Sequence, residues 1–279
     1  MANIVITGCS SGFGLLTAVE FARKGDHVFA TMRNTAKAGE LEKARDAENL
    51  PIDILQLDLL DAGSITKAVA ETEKAGPLDV LVNNAGMELR SPIEIADEDE
   101  VRAQFETNVF GTLRVTRAVL PKMRERRAGT IVNLSSIGGV VSVPYGGYYA
   151  ASKHALEAIS EAMHYELHSF GVRVIVIEPG GFPTDFSSNV AVAKAFTPDS
   201  PYFGLNERFD AKLRQMMVPG GVAQDPADVA RAIYDAVHDA TPKLRYLVGA
   251  DAQMIAGVRK QLDFEGFENA MRNAMDWRD

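Results

Sequence analysis

The sequence predicts a doubly wound α/β fold, in which a parallel sheet of about seven strands has helices on both faces. Short runs rich in Val, Ile and Leu alternate with longer segments of helical period. These runs are almost entirely apolar, as expected for strands that are buried on both faces. A glycine-rich turn separates the first run from the first helix. The predicted strands are Asn3–Thr7, 27–31, 52–57, 79–83, 130–134, 172–177 and Arg245–Val248.

One domain is expected for the 279 residues, because no linker divides the chain. Helical periodicity predicts helices over 13–24, 101–123 and 149–170. The segment 185–224 departs from this pattern, with scattered Pro, Ser and Gly and weak periodicity. We expect it to be an insertion that forms a mobile lid over the substrate; the alternative is an ordered surface excursion.

Charge and composition exclude several classes of protein. The formal net charge is -9, and no dense basic cluster occurs beyond 122–127, which argues against binding to nucleic acid. The single cysteine, Cys9, rules out an internal disulfide framework and provides no metal site, and a buried filler is its expected role. No run of about 18 apolar residues predicts a membrane span, and no secretory leader precedes Thr7. A cytoplasmic protein is expected.

The glycine-rich turn predicts a dinucleotide-binding fold of the Rossmann type. A pyrophosphate needs backbone N–H groups at close range and the positive end of a helix dipole, and glycines allow that approach. The order of strand, turn and helix makes this signal specific. The turn reads Thr7-Gly8-Cys9-Ser10-Ser11-Gly12-Phe13-Gly14.

The residues after the second predicted strand favour NADP(H) over NAD(H). A fold that prefers NAD usually carries an acidic residue about 20 positions beyond the glycine turn, where it binds the ribose 2′-hydroxyl. No Asp or Glu stands between positions 26 and 40, whereas Arg33 and Lys37 can meet a 2′-phosphate, with Ser10 and Ser11 as further donors. Alternatively, Arg33 is a solvated loop residue.

Tyr149 and Lys153 are the candidate acid–base pair. They stand four residues apart and share one face of a helix. A nearby ammonium favours the phenolate, so we expect the pKa of Tyr149 to be lowered towards the working range. Ser136 follows a predicted strand 13 residues before Tyr149, and its hydroxyl can reach the substrate oxygen.

Neighbouring residues are less well placed for this chemistry. Only Tyr149 stands four before Lys153, so Tyr145 and Tyr148 are assigned to the pocket or to packing. Ser135 is disfavoured by its spacing. No chemistry is assigned to the histidines of the same helix, which are His154, His164 and His168.

Further motifs occur in a fixed order along the chain. They are Thr7-Gly8-x-x-x-Gly12-x-Gly14, Asn83-Asn84-Ala85-Gly86, Asn108, Ser136, Tyr149 with Lys153, and Pro179-Gly180 with Thr184. In these motifs the chain resembles the short-chain dehydrogenase/reductase superfamily, in its single-domain branch, over nearly its whole length. The segments 7–12 and 30–33 are most similar to the 17β-hydroxysteroid and retinol dehydrogenase-like group.

The resemblance implies roles for residues outside the Tyr/Lys pair. It implies that Asn108 holds a water in a proton relay and that Lys153 also binds the nicotinamide ribose. Asp58 would meet the adenine amine, and residues 84–86 would line the cofactor. The nicotinamide loop would comprise Pro179, Gly180, Phe182 and Thr184, with Phe182 where a smaller residue is frequent.

The expected substrate is a bulky hydrophobic carbonyl compound or alcohol, because the expected pocket is mostly apolar and aromatic. Glu88 either faces its entrance or is simply exposed. The pocket residues are Met87, Glu88, Val143, Pro144, Tyr145, Phe182, Phe186 and the loop through Met217. A catalytically silent, NADP-sensing regulator is the alternative function, although all four catalytic positions are filled. Members of the extended epimerase branch have a larger carboxyl-terminal substrate domain. The about 30 residues after the last predicted strand are too few to form it.

A homodimer or homotetramer is expected. The resemblance assigns the helices 101–123 and 149–170 to a four-helix seam between subunits. Their apolar residues would then be covered by a second subunit. The residues expected on this surface are Ala103, Val115, Leu156 and Met163.

Overall fold

The computed structural model describes residues 1–188, 190–216 and 223–276. Met217, which the sequence assigns to the pocket, lies outside the described residues. The strands are β1 (Asn3–Thr7), β2 (His27–Met32), β3 (Ile52–Gln56), β4 (Val80–Asn83), β5 (Leu89–Arg90), β6 (Gly129–Leu134), β7 (Val172–Pro179), β8 (Ala191–Val192) and β9 (Arg245–Val248). The α-helices are α1 (Gly12–Arg23), α2 (Gly39–Glu48), α3 (Ala62–Thr72), α4 (Glu98–Phe105), α5 (Thr112–Arg126), α6 (Gly147–His168), α7 (Asp185–Ser188), α8 (Phe203–Met216), α9 (Ala227–His238), α10 (Ala250–Gln261) and α11 (Phe264–Ala274).

Seven parallel strands form the central sheet, in the order β3-β2-β1-β4-β6-β7-β9. This confirms the predicted fold class. Ile4 of β1 pairs with Val28 of β2 on one side and with Val80 of β4 on the other. The chain therefore reverses its direction of winding between β1 and β4, and a ligand crevice is expected at the carboxyl ends of these two strands.

Alternation along the strands divides the core between the two faces of the sheet. In β1, Ile4 and Ile6 pack in the cluster that includes α1 and α9. Val5 points the other way and packs with residues of α3, α5 and α6. Both faces are thus covered, which explains why the strands are almost entirely apolar.

The segment 185–224 contains more regular structure than its weak periodicity predicts. It holds α7, β8 and the 14-residue helix α8. β8 pairs with β5, where the N–H of Ala191 donates to the carbonyl of Glu88 at 2.8 Å and the N–H of Ala193 donates to that of Arg90 at 3.1 Å. The buried ring of Phe209 anchors α8 in a third apolar cluster. Contacts with residues far away in the sequence leave no periodic pattern of apolar residues within the segment itself.

The long helix predicted over 101–123 is interrupted, so that prediction was wrong in part. α4 begins earlier, because Asp97 and Glu100 form a capping box at its start. A π-helix follows over Glu106–Gly111, and α5 continues from Thr112. The π-helix changes the direction of the side chains in the turn that carries Asn108, as is common at functional sites.

Most residues expected at a subunit seam are already covered within the chain. Val115, Leu156 and Met163 are 0%, 2% and 8% exposed, because they pack on or under the sheet. Ala103 is exposed, as are Phe110 and Tyr165 from the same region. The predicted homo-oligomer therefore cannot be argued from the three buried residues and stays a prediction.

No helix in the described part of the chain is long and apolar enough to cross a membrane. The described residues also contain no group of three His, Cys, Asp or Glu side chains arranged to hold a metal ion.

Replacing Gly14 by alanine should destabilise the protein. A Cβ at this position would lie 2.3 Å from the carbonyl oxygen of Gly8 and 2.5 Å from Nδ2 of Asn84. Neither atom can move without breaking the turn, so we expect a loss of about 1–3 kcal/mol in the free energy of unfolding, measured with urea. Gly39→Ala is the matched control, since nothing lies within 4 Å of its Cβ position. Equal stability of the two variants would contradict this packing argument.

Candidate active site

The glycine-rich turn at the end of β1 is built for a close ligand. Gly8 has φ +76°, and a Cβ there would lie 2.9 Å from the Cα of Ala85. α1 begins at Gly12, and the side chain of its N-cap residue, Ser11, makes no capping hydrogen bond. The N–H groups of the first helical turn are therefore not capped by that side chain, and the turn fits the pyrophosphate of a dinucleotide.

Asn84 holds the turn by binding its backbone. Its Nδ2 donates to the carbonyls of Thr7 and Gly8 at 2.8 and 3.1 Å. In return, Oγ1 of Thr7 accepts from the N–H groups of Asn84 and Ala85, both at 3.0 Å. The side chain of Asn84 is thus turned towards the protein, and it acts on the cofactor site by fixing the ends of β1 and β4.

The loop after β7 lies over this turn. A Cβ on Gly12 would lie 3.6 Å from the Cβ of Thr184. Phe182 contacts Phe13 edge to face, with ring centroids 5.6 Å apart. Phe182 is also buried in the core cluster around β1 and α1. Its aromatic ring therefore packs under the loop, which is a core role that the pocket assignment from sequence did not foresee.

Asp251 fixes the same loop and was not found from the sequence. This carboxylate is 2% exposed, and its Oδ2 accepts from the N–H of Gly181 at 2.6 Å. Its Oδ1 accepts from the amide of Gln224 at 2.8 Å, which also donates to the carbonyl of Gly181. A Cβ at Gly180 would lie only 2.1 Å from that Oδ1. The sole local signal was an acidic residue in the first turn of α10, which is too common to indicate a role.

The end of β2 presents a free cation. Arg33 is exposed, and among the described residues its guanidinium makes no hydrogen bond or ion pair. Asp58, at the end of β3, is half-buried, and its Oδ1 accepts from the N–H of Leu60 at 3.0 Å. The hydroxyl-bearing Ser10 and Ser11 are half-buried in the glycine turn. Ser10, Ser11, Arg33 and Asp58 thus lie just beyond the carboxyl ends of three neighbouring strands, β1, β2 and β3.

Lys153 is buried beneath the end of β6. It is 6% exposed, and its Nζ donates to the carbonyl of Leu134 at 2.7 Å. Nζ also lies 5.6 Å from the ring centroid of Tyr149, one turn earlier on α6. Burial lowers the pKa of Lys153 to about 8, while the negative charge of Glu157 acts in the opposite direction.

The pKa of Tyr149 is raised in this structure. The lowered pKa that the Tyr/Lys spacing predicts was therefore wrong. Burial is the main cause, and the charge of Glu88 adds to it. The nearby hydroxyl of Ser136 lowers the pKa of the phenol and so acts in the opposite direction. The phenol is consequently protonated at neutral pH, which suits it to donate a proton.

Asn108 joins the nucleotide and catalytic halves of the site. Its amide makes two hydrogen bonds of 2.9 Å with the backbone N–H and carbonyl of Met87, and it donates to Oγ of Ser152 at 3.1 Å. A Cβ on Gly86 would lie 3.3 Å from Oδ1 of Asn108 and 3.8 Å from Nζ of Lys153. The four predicted catalytic residues therefore meet at the carboxyl ends of β4 and β6.

Comparison with known proteins decides the family. The family model for short chain dehydrogenase matches residues 2–194. This chain is a member of the short-chain dehydrogenase/reductase family. It is 37% identical over 258 residues to 3-ketodihydrosphingosine reductase of Bacteroides thetaiotaomicron, which covers 90% of this chain and 89% of that protein. It is 36% identical over 250 residues to human 17-beta-hydroxysteroid dehydrogenase type 1, which covers 87% of this chain and 76% of that protein.

Solved structures agree with this assignment. A short-chain dehydrogenase from Streptomyces avermitilis is similar over 98% of both chains, with a TM-score of 0.80 and 35% identity. A variant of actinorhodin polyketide ketoreductase with NADPH has a TM-score of 0.78 and 29% identity, over 90% of this chain and 97% of that one. The chain is therefore an oxidoreductase that acts on CH–OH or C=O groups with a nicotinamide cofactor, in the group that includes retinol and 17β-hydroxysteroid dehydrogenases.

Several residues left open by the sequence can be placed in this dehydrogenase. Glu88 is half-buried, burial raises its pKa, and its charge reaches the phenol of Tyr149. It is thus part of the active-site surroundings. Cys9 is buried, and burial raises the pKa of its thiol to about 12, as expected for an unreactive filler. His154 bonds the carbonyl of Ala150 within its own helix.

Gln104 is a further supporting residue that the sequence did not indicate. Its side-chain amide donates to the carbonyl of Met87 at 2.7 Å and accepts from the N–H of Leu89 at 2.6 Å. Together with Asn108, it fixes the backbone on both sides of Glu88. Only the three-dimensional contact reveals this role.

Asp251→Asn should weaken cofactor binding. Both carboxylate oxygens accept a hydrogen bond, so an amide can replace only one of them and places a donor against the other. Loss of one charge-assisted bond is worth about 1.5–3 kcal/mol, and we expect the Kd for NADPH to rise at least roughly tenfold in a fluorescence titration. Asp228→Asn, at an exposed position in the first turn of α9, is the control. An unchanged Kd for the Asp251 variant would remove the proposed support of the loop.

Proposed function

We propose that this dehydrogenase interconverts a bulky hydrophobic carbonyl compound and its alcohol, with NADP(H) preferred over NAD(H). The observation that carries the chemistry is the phenol of Tyr149, which stands one turn before the buried Lys153 and lies beside the loop of Ser136. A Cβ on Gly138 would lie 3.2 Å from Cε1 of Tyr149 and 3.5 Å from Oγ of Ser136. The glycine turn and the loop around Thr184 lie at the same edge of the sheet. A nicotinamide held by these two segments would supply a hydride on the same edge of the sheet as the proton-donating phenol.

In the direction of reduction, a bound nicotinamide supplies the hydride to the carbonyl carbon. Ser136 donates a hydrogen bond to the carbonyl oxygen and holds it beside the phenol. Tyr149 then gives its proton to that oxygen, so the carbonyl becomes an alcohol and the tyrosine a phenolate. The Lys153 ammonium stabilises the phenolate charge, and Asn108 fixes the backbone next to this pair. Oxidation runs through the same groups in reverse.

The preference for NADP(H) is supported by Arg33. Its exposed guanidinium has no partner among the described residues, and no carboxylate stands on its loop to repel a 2′-phosphate. The related ketoreductase solved with NADPH is consistent with this proposal.

The proposed substrate class is supported by the apolar surroundings of the site. Phe186 lies 6.1 Å from Tyr149 between ring centroids. A cavity of about 280 Å³ opens between the 142–144 loop, α8 and α11. Its lining is mostly apolar, with Ser142, Glu268 and Arg272 as polar members. The apolar residues are Val143, Pro144, Phe209, Phe264, Phe267, Met271 and Met275. Relatives named for retinol and for a steroid fit the same class. We further propose that the segment 185–224 covers this substrate.

Tyr149→Phe should retain the fold and cofactor binding but lower turnover by about two to four orders of magnitude, because the proton donor is lost. The measurement is NADPH consumption with a panel of hydrophobic ketones and aldehydes. Tyr148→Phe is the matched control, since this neighbouring hydroxyl binds the carbonyl of Ile93 at 2.7 Å. Residual activity of the Tyr149 variant within tenfold of the parent would refute the assignment.

Arg33→Ala should narrow the preference for NADPH over NADH, mainly through the KM for NADPH. Charge-assisted contacts to a phosphate contribute about 1.5–3 kcal/mol, which corresponds to a ten- to hundredfold change. Steady-state kinetics with both coenzymes provide the test, and Arg45→Ala, at a half-buried arginine of α2 paired with Asp46, is the control. A parent enzyme that uses NADH and NADPH with equal efficiency would overturn the proposed preference.

A further inference from the structure

A second buried charge lies directly below the catalytic lysine. Glu157 follows Lys153 by one helical turn on the inner face of α6, and the two residues are 7% and 6% exposed. Glu157 also packs under the loop that carries Ser136. A Cβ on Gly139 would lie 3.0 Å from Cγ of Glu157 and 2.6 Å from Oγ of Ser135. This carboxylate thus borders both catalytic elements without touching the substrate site itself.

The guanidinium of Arg245 lies close to three carboxylates, one of which is Glu157. Nε of Arg245 binds Oε2 of Glu157 at 2.8 Å and lies 3.8 Å from Oε1 of Glu178. Its Nη2 binds Oε2 of Glu161 at 2.6 Å. Three ionised carboxylates and one guanidinium would leave two net negative charges, with Glu157 and the 3% exposed Glu178 out of contact with water. Such a charge is costly to bury.

The cluster relieves this cost by keeping one proton. Burial raises the pKa of Glu178, and the negative charge of Glu157 raises it further. A protonated Glu178 can donate a hydrogen bond to Glu157. Glu157 needs that donor, because its buried Oε1 accepts no hydrogen bond from the described residues when all carboxyls are ionised. With a pKa of about 7, Glu178 holds this proton at and below neutral pH, and the guanidinium of Arg245 at 2.8 Å stabilises the carboxylate of Glu157 throughout.

The surroundings of Lys153 give its ammonium form little stabilisation. Its Nζ donates to the neutral carbonyl of Leu134, and burial favours the uncharged amine. Among the described residues, Glu157 is the carboxylate whose negative charge raises the pKa of this ammonium. The charged groups that face Glu157 are Lys153 and Glu161 from α6, Glu178 from β7 and Arg245 from β9.

We propose that Glu157 is a positioning residue, whose carboxylate, held by Arg245, keeps Lys153 in its ammonium form inside the protein. Its importance for turnover rests on the proposed role of Lys153 beside Tyr149. The electrostatic link between Glu157 and Lys153 can be measured without any substrate.

The test is E157Q, which removes the charge and keeps the shape. The ammonium of Lys153 is lost as the pH rises, and in the parent burial already lowers its pKa to about 8. Without Glu157 this pKa falls further, so the alkaline limb of kcat/KM should move to lower pH. If the pKa of Lys153 fell from about 8 to about 7, kcat/KM would drop roughly fivefold at pH 8 and stay near the parent value at pH 6. E157D should show a smaller shift in the same direction.

E161Q is the matched control. Glu161 binds the same arginine from the same helix but is half-exposed, so its variant should keep the alkaline limb of the parent. A second readout needs no activity: the chemical shift of the Lys153 Cε in 13C-labelled protein should titrate at lower pH in E157Q. Should E157Q fail to fold, E157D provides the same comparison.

Two results would overturn the proposal. One is an unchanged Lys153 titration in a folded Glu157 variant. The other is an activity loss that is uniform across pH, because that pattern indicates only a structural defect. A parent that shows no turnover with any carbonyl compound would instead count against the proposed function, since the lysine titration is independent of it.

Discussion

The active site depends on keeping a lysine charged where water is largely excluded. Lys153 stabilises a phenolate only as an ammonium, yet burial favours its neutral form. The surrounding structure supplies what solvent would otherwise provide. The carbonyl at the end of β6 accepts its hydrogen bond, and Glu157 places a negative charge one turn below. That negative charge in turn requires Arg245 from the far edge strand, so the chemistry at the centre of the sheet depends on β9.

Support from distant parts of the chain is a general feature of this site. The match to the family ends at residue 194. The loop after β7 lies within the matched region, but it is held by Asp251 and Gln224, which lie beyond it. The mostly apolar cavity is likewise lined by the 142–144 loop on one side and by helices beyond the matched region on the other. The carboxyl-terminal part thus contributes contacts to the loop after β7 and residues to the lining of this cavity.

The fold and the catalytic residues could be predicted from sequence because their signals are local. Strand composition, the glycine turn, and the spacing of Tyr149 and Lys153 each lie within a short segment. Local spacing gave the wrong sign for the pKa of Tyr149, because burial and the charge of Glu88 come from other segments. The roles of Asp251 and Gln104, and the helix α8 anchored by distant contacts, were not predictable for the same reason.

The short pairing of β5 with β8 connects the segment 185–224 to the backbone that Asn108 binds. β5 follows Met87, whose backbone N–H and carbonyl are both bonded by Asn108. Displacing residues 191–193 breaks two backbone hydrogen bonds to this strand, and the Arg90 ion pair with Asp210 ties it to α8 as well. Residues 191–193 and Asn108 therefore bind the same short segment of backbone, residues 87–90. In the proposed function, a displacement of the cover over the substrate would act on the backbone that Asn108 holds.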